Sequence, residues 1–168
     1  MEANTEFSES SQEKEKSSQE LLKTFLCTSE QTELSEDDIH YVMAFKKFKT
    51  GEYVNWNWAA FFLGTANFAY RKNWIAMVIS FFAPGIIMRI ILVLFSDYLY
   101  YMKFKDVCTK ARFLSSSEEE QKRYIAQKGG KSLVLGIIIG LLPLIIITAV
   151  FFIVVSLAVA AGTISIFL

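Results

Sequence analysis

The last thirty-seven residues, Ser132 to Leu168, contain no Asp, Glu, Lys, Arg or His. Within them, Leu135 to Val154 holds fifteen Ile, Leu, Val and Phe residues, which favour insertion into a bilayer by roughly 6 kcal/mol. A helix of this length can cross a hydrocarbon core of about 30 Å. The run therefore predicts one tilted membrane-spanning helix over about residues 133–158, with at most a kink at Pro143.

Further apolar segments, at about 55–70 and 74–96, precede this run. We therefore expect an all-α integral membrane protein with about three transmembrane or membrane-embedded helices, its membrane domain covering 53–168. The first segment is only marginally long enough to span, so it either crosses thinly or lies in the interface. The second is long enough, but Pro84-Gly85 interrupts it. A kinked helix is the expectation there, and a re-entrant hairpin turning at Ala83-Pro84-Gly85 is the alternative.

The residues before the first apolar segment are polar or amphipathic. Residues 1–20 are too polar to bury a core, which predicts a disordered tail, and they lack the pattern of a signal peptide, which favours a cytoplasmic N-terminus. Residues 21–52 predict an amphipathic lead-in. Its main helix begins at Ser35, where Asp38 completes a capping box, and ends before Gly51. The expected apolar face comprises Ile39, Val42 and Met43, with Tyr41, Phe45 and Phe48 as further members.

The connection at 97–131 is expected to be helical and cytoplasmic. The preceding helix continues into it, and Ser117 then caps a second helix that Gly129-Gly130 ends. Basic residues are dense beside the membrane segments, which places the connection in the cytoplasm by the positive-inside rule. These residues are Lys103, Lys105, Lys110, Arg112, Lys122, Arg123, Lys128 and Lys131. A connection of this kind can bind anionic lipid.

A cytoplasmic tail and a cytoplasmic connection require an even number of crossings between them. Segments 55–70 and 74–96 crossing out and back satisfy this requirement and place Arg71 and Lys72 outside. The rival arrangement, with an interfacial first segment and a re-entrant second one, keeps every basic residue inside. We expect crossing.

Arg89 lies inside the second apolar segment, where a central Arg costs about 2.5 to 3.5 kcal/mol. It either pairs inward or extends to the headgroups. Its expected partners are Asp97, Asn67 and backbone carbonyls freed near Pro84.

Gly136 and Gly140 form a GxxxG pattern in the last apolar helix. This spacing allows close approach of another helix, and we favour packing within the chain over dimerisation.

Motifs for chemistry are missing from the sequence. There is no GxSxG, HExxH or P-loop, so we expect neither an enzyme nor a bound cofactor. Cys27, Cys108 and His40 are too few for a zinc site and are interpreted as two reduced thiols and a surface histidine. Asp97 and Asp106 are expected to be solvated. The basic segments lack the context of a nucleic-acid-binding module.

The chain resembles a bacterial membrane family catalogued as domain of unknown function 2628. The residues that carry the resemblance are Asn57, Trp58, Ala59, Ala60, Phe61, Phe62 and Gly64, followed by Tyr70, Arg71 and Lys72. The resemblance covers about Leu21 to Leu157, and Thr65-Ala66-Asn67 departs from the usual pattern. It implies a multi-pass protein of the bacterial inner membrane and no known reaction.

The functional expectation is a structural or interaction module. Its partners would be the lipid bilayer and an unidentified protein or a second copy of the chain. The alternative is a component of a transport or permeation assembly, with Arg89 and Asn67 lining a polar path.

Overall fold

The computed structural model describes residues 16–27, 33–82 and 85–166 of the 168. All regular secondary structure in these residues is helical, which confirms the all-α prediction. A helical segment at 16–26, here called α1, comes first. It is followed by α2 (Glu36–Lys49), α3 (Trp58–Leu63), α4 (Thr65–Tyr70), α5 (Trp74–Phe82), α6 (Ile86–Leu114), α7 (Glu118–Lys128) and α8 (Leu133–Ile166).

The capping signals predicted the ends of two helices correctly. At the start of α2, the Asp38 carboxylate accepts hydrogen bonds from the backbone N–H and the hydroxyl of Ser35, at 3.0 and 2.7 Å. The acidic first turn and basic last turn of α2 also complement its dipole. Helix α7 begins after Ser117 and ends at Gly129. Gly129 is required there, because a Cβ at this position would lie 2.2 Å from the carbonyl oxygen of Phe25.

An aromatic core joins α1, α2, α6 and α7. The ring of Phe25 lies 5.2 Å from those of Tyr100 and Phe104, and the ring of Phe45 lies within 6.0 Å of the same two rings. Offset and tilted rings at these spacings add to the free energy of apolar burial. The buried members are Phe25, Leu26, Tyr41, Ala44, Phe45, Phe48, Tyr100, Phe104, Val107, Ala111 and Ile125.

Two predictions about the N-terminal region were wrong in part. Residues 16–20, assigned to the disordered tail, are helical and belong to α1, while residues 1–15 lie outside the described part of the chain. The buried face of α2 also differs from the predicted one. Ile39 and Met43 are 44% and 63% exposed, because the face that meets α6 is centred on Tyr41, Phe45 and Phe48.

The first apolar segment is two short helices, α3 and α4, separated by Gly64. Gly64 has φ 51° and ψ −123°, a combination that glycine adopts readily and other residues do not. Asn57 caps α3, its side-chain oxygen accepting from the N–H of Ala60 at 2.8 Å. Each helix has six residues and is about 9 Å long. The segment expected over about 55–70 is therefore two short helices, and neither of them alone has the length of a hydrocarbon core of about 30 Å.

The second apolar segment is an antiparallel hairpin of α5 and α6, not one kinked helix. The side-chain amide of Asn73, just before α5, donates to the carbonyl of Ser96 on α6 at 3.3 Å. Ala76 packs in one cluster with Leu92 and Val93. The chain must therefore reverse between the two helices, which agrees with the alternative of a re-entrant hairpin. Ala83 and Pro84 themselves lie outside the described residues.

Helix α8 packs against α4 through its glycines. A Cβ at Gly136 would lie 3.0 Å from the Cβ of Tyr70, and one at Gly140 would lie 3.2 Å from the Cβ of Ala66. The predicted packing of this GxxxG pattern within the chain is thus observed. Among the described residues, α8 is also the one helix long and apolar enough to cross a membrane.

Candidate functional site

A buried ion cluster lies where α2, the end of α4 and the start of α8 meet. Asp38 of α2 is fully buried, and its carboxylate accepts from Arg71 Nη1 at 2.7 Å and from Lys131 Nζ at 2.9 Å. Arg71 is itself 2% exposed, and its Nη2 lies 3.5 Å from the carboxylate of Asp37. The cluster ties three separate parts of the chain together through charge-assisted hydrogen bonds.

Burial and hydrogen bonding act in opposite directions on Asp38. Burial by itself would raise the pKa of this carboxyl, but the hydrogen bonds from Arg71, Lys131 and Ser35 outweigh it and lower the pKa overall. For Arg71, burial opposes the charge, whereas the neighbouring Tyr41, Tyr100 and Asp38 favour it and raise the pKa. Both partners are therefore ionised, so the pair is a true buried salt bridge.

A second buried carboxylate, Asp97 on α6, lies close by. Its oxygens accept from Asn55 Nδ2 and Asn57 Nδ2, each at 2.6 Å, and Oδ2 lies 2.8 Å from Nε2 of His40. Asp97 is 0% exposed. The prediction that it is solvated was wrong. His40, interpreted as a surface histidine, has a side chain that is 39% exposed and also contacts Asp97. Asp106, predicted to be solvated as well, is 56% exposed and pairs with Lys110.

Two tyrosines fill the space beside these carboxylates. The guanidinium of Arg71 stacks over the ring of Tyr41, 4.4 Å from its centroid, and the Tyr41 hydroxyl accepts from Asn57 Nδ2 at 3.2 Å. Burial, helped by the charge of Asp97, raises the pKa of Tyr41 to about 12. Burial also raises the pKa of Tyr100, whose buried hydroxyl has no hydrogen-bond partner in the described part of the chain. Both phenols are therefore neutral at physiological pH.

A cavity of about 380 Å³ opens onto this polar region. Its lining combines charged and aromatic side chains, and the buried Arg71 contributes to it. The residues that line it are Glu36, Asp37, His40, Tyr41, Trp56, Asn57, Trp58, Ala59, Asn67 and Arg71. Mixed apolar and polar linings of this kind are typical of small-ligand sites, so we take this cavity, here called the Trp56 cavity, as the candidate site.

Some of the residues that carry the family resemblance line the cavity, and the others lie in α3, α4 and the turns beside them. Trp58 and Ala59 line it, Ala60 is 1% exposed and Phe62 is 69% exposed, and Phe61 packs partly buried beside them. Tyr70 contacts α8 near Gly136. Asn57, Gly64 and Arg71 have the capping, turn and ion-pair roles described above.

Arg71 and Lys72, which the expected crossing arrangement puts outside, lie next to the segments expected to be cytoplasmic. Arg71 pairs with Asp38 of α2, and Lys72 donates from Nζ to the carbonyl of Gly129, at the end of α7, at 3.0 Å. These contacts favour the rival arrangement, in which the basic residues share one side.

Arg89 does not form the predicted pair with Asp97. Asp97 is engaged by His40 and the two asparagines, whereas Arg89 is exposed on α6. Its guanidinium lies beside the turn between α3 and α4, 2.7 Å from where a Cβ of Gly64 would be. Asn67 is instead 5% exposed and interacts with Tyr41.

Sequence reasoning missed Asp97, Asn55 and Lys131 as members of the site. A signal was available, because Asn55 and Asn57 interrupt an apolar segment and buried polar groups must find partners. The partners themselves are far away in the chain, and their spacing gives no indication of the contact.

The described residues contain no group of three or more His, Cys, Asp or Glu side chains placed to hold a metal ion. Comparison with known proteins gives no match to a protein-family model, to a curated protein or to a solved structure.

Proposed function

We propose that this chain is an integral membrane protein that holds a charged helical module at the bilayer surface. The observation that carries the proposal is the uncharged helix α8, whose apolar side chains are almost all exposed from Leu141 to Ala160. At about 25 cal/mol per Å², leaving such a surface in water is unfavourable over its whole length. In a bilayer the same surface favours insertion of the helix.

The α5–α6 hairpin supports a re-entrant arrangement beside a single span. Its end carries exposed apolar side chains on both helices, Phe82 at 78% and Ile87 at 73%. Helix α5, with nine residues, is about 13 Å long, which is less than half of a hydrocarbon core of about 30 Å. The proposal is therefore one spanning helix, α8, and one hairpin that enters part of the way.

The surface module comprises α1, α2, α7 and the second half of α6. It carries the basic residues of the connection, and these favour an anionic membrane surface. Phe113 and Leu114, at the end of α6, are 88% and 68% exposed and are available to a protein partner or to lipid. We place the module in the cytoplasm and the chain in the bacterial inner membrane, in keeping with the resemblance to the family of unknown function. We also propose that the chain is a member of that family.

The alternative function is a permeation component, and the exposure of Arg89 favours it. An exposed guanidinium on a hairpin that enters hydrocarbon needs a polar partner, which a second copy of the chain would supply. The variant R89L would then abolish flux without changing the protein level. Equal flux from R89L and the parent would exclude this alternative.

Thiol accessibility tests the proposed topology. In a chain with Cys27 and Cys108 replaced by Ser, we expect W74C and S116C to be labelled from the same side of the membrane by an impermeant reagent. The α8 variant I153C should be protected from both sides. Labelling of W74C and S116C from opposite sides would restore the crossing arrangement, and release of the protein by alkaline carbonate would contradict membrane integration altogether.

A further inference from the structure

An apolar groove along α8 lies next to the Trp56 cavity. The groove has a volume of about 490 Å³ and runs beside the first turns of α8, from Leu133 to Leu141. Asp37, Ala59 and Asn67 line both spaces, so the cavity and the groove are direct neighbours. A polar chamber beside an apolar channel has the form of a site for an amphiphile.

The carboxylates at the cavity are not all neutralised. Asp38 is paired with Arg71 and Lys131, and Asp97 is paired with His40 and two asparagines. Asp37 is different, because its carboxylate is 64% exposed and reaches Arg71 only at 3.5 Å. Glu36 also lines the cavity and has no salt-bridge partner among the described residues. The rim therefore has an excess of negative charge, which favours a cationic group.

The lining also contains two indoles. The rings of Trp56 and Trp58 lie 5.2 Å apart and both residues line the cavity. Aromatic rings attract a cation that lies over their faces, so this part of the lining is compatible with a cationic group. The indole N–H of Trp56 is buried and has no acceptor in the described part of the chain.

We propose that the Trp56 cavity and the groove together bind a phospholipid whose headgroup carries a primary amine. The ammonium lies beside Asp37 and Glu36, near the two indoles. One acyl chain follows the groove past Gly136 and Gly140. A headgroup with a phosphate and no amine is disfavoured, because it adds a negative charge beside unpaired carboxylates.

This inference rests on the proposed membrane location and adds a headgroup preference to it. Lipids in the bilayer reach the groove laterally, because α8 and the hairpin stand in the hydrocarbon while the cavity lies at the level of Trp56 and Trp58. Tryptophan is enriched at that level of a membrane. The basic connection attracts anionic lipids of any kind, whereas this site binds those lipids of the surrounding bilayer whose headgroup carries an amine.

Native mass spectrometry of the detergent-purified full chain tests the preference directly. Phosphatidylethanolamine and phosphatidylglycerol of identical acyl chains are titrated in parallel, together with free phosphoethanolamine. We expect the parent to bind phosphatidylethanolamine on the order of tenfold more tightly than phosphatidylglycerol. The variant D37N should bind the two phospholipids with nearly equal affinity. The control variant E119Q, which removes an exposed carboxylate from α7, should retain the preference of the parent.

A second variant tests the groove. A59L fills the junction between the cavity and the groove and should weaken binding of the whole lipid more than that of free phosphoethanolamine. Equal affinity of the parent for both phospholipids, or a ratio unchanged in D37N, would overturn the headgroup proposal. Free phosphoethanolamine binding as tightly as the lipid would overturn the role of the groove. Membrane integration is measured separately by carbonate extraction, so failure of the proposed function is distinguishable from failure of the lipid preference.

Discussion

Hydrophobic side chains are buried at one end of this molecule and exposed at the other. Around α2, the aromatic rings of α1, α2 and α6 pack against one another, and Phe45 is 1% exposed. At the end of the α5–α6 hairpin, Phe82 is 78% exposed, and the side chains of α8 are almost all exposed from Leu141 to Ala160. Both ends are rich in Phe, Leu and Ile, so composition does not separate them. The difference lies in how many sides of each helix are covered.

Charge follows the reverse pattern. The aromatic end buries Asp38, Arg71 and Asp97, although burial of ionised groups is costly unless each is paired. The exposed surface of α8 has no charged side chain at all over Leu133–Ile166. The two ends therefore differ both in their hydrophobic exposure and in their buried charge. The ion cluster of Asp38, Arg71 and Lys131 connects them where α2, the end of α4 and the start of α8 meet, and this region is here called the joint.

The largest effect is expected from breaking the ion cluster at the joint. R71M leaves the buried carboxylate of Asp38 with Lys131 as its remaining cation and removes the contact with the Tyr41 ring. We expect the free energy of unfolding in detergent to fall by about 3 to 5 kcal/mol, measured by denaturant titration with Trp fluorescence. R112M, on the exposed part of α6, is the matched control and should stay near the parent. A loss in R71M no greater than that in R112M would mean that the cluster does not fix the joint.

The parts of this contrast between the two ends that the sequence predicts are local features. Ser35 and Ser117 mark the starts of α2 and α7 because capping is decided within one turn of a helix. The run from Leu133 similarly predicts α8, since apolarity over twenty residues needs no tertiary contact to be recognised.

The joint itself could not be predicted, because it depends on contacts between distant residues. His40 meets Asp97 across fifty-seven positions and Arg71 meets Asp38 across thirty-three. Hydrophobic periodicity and insertion costs say nothing about such pairs. The requirement for an even number of crossings placed Arg71 outside, against the preference of the positive-inside rule, because its contact with Asp38 cannot be read from the sequence.

A smaller effect is expected where the apolar end is attached to α4. G136V puts a branched side chain where even a Cβ would lie 3.0 Å from Tyr70. Overpacking of this kind costs about 1 to 3 kcal/mol, and the same unfolding titration measures it. A149V, on the exposed part of α8, is the control and should have no measurable effect. If A149V were as destabilising as G136V, α8 would have to be packed on further sides, and the contrast between the two ends would fail.

The smallest effect concerns Lys103, a cation held against the aromatic core. Its Nζ donates to the carbonyl of Lys72 at 2.9 Å and lies 5.5 Å from the rings of Phe25 and Tyr100. Burial, together with the charge of Lys72, lowers the pKa of Lys103 to about 8. Between about pH 8 and the ordinary lysine pKa near 10.4, the unfolded chain holds a proton that the folded chain has released. Stability conferred by this residue therefore rises with pH across that interval.

We expect the free energy of unfolding of the parent to gain about 1 kcal/mol relative to K103M between pH 8 and pH 10, because remaining solvent contact screens part of the cost of the charge. K105M, which removes an exposed cation from the same helix, should follow the parent. The measurement is a denaturant titration of all three proteins at several pH values. Parallel stability curves for the parent and K103M would show that water reaches Lys103 freely. The aromatic end would then be open to solvent on that side, and its difference from the apolar end would be smaller than the buried rings indicate.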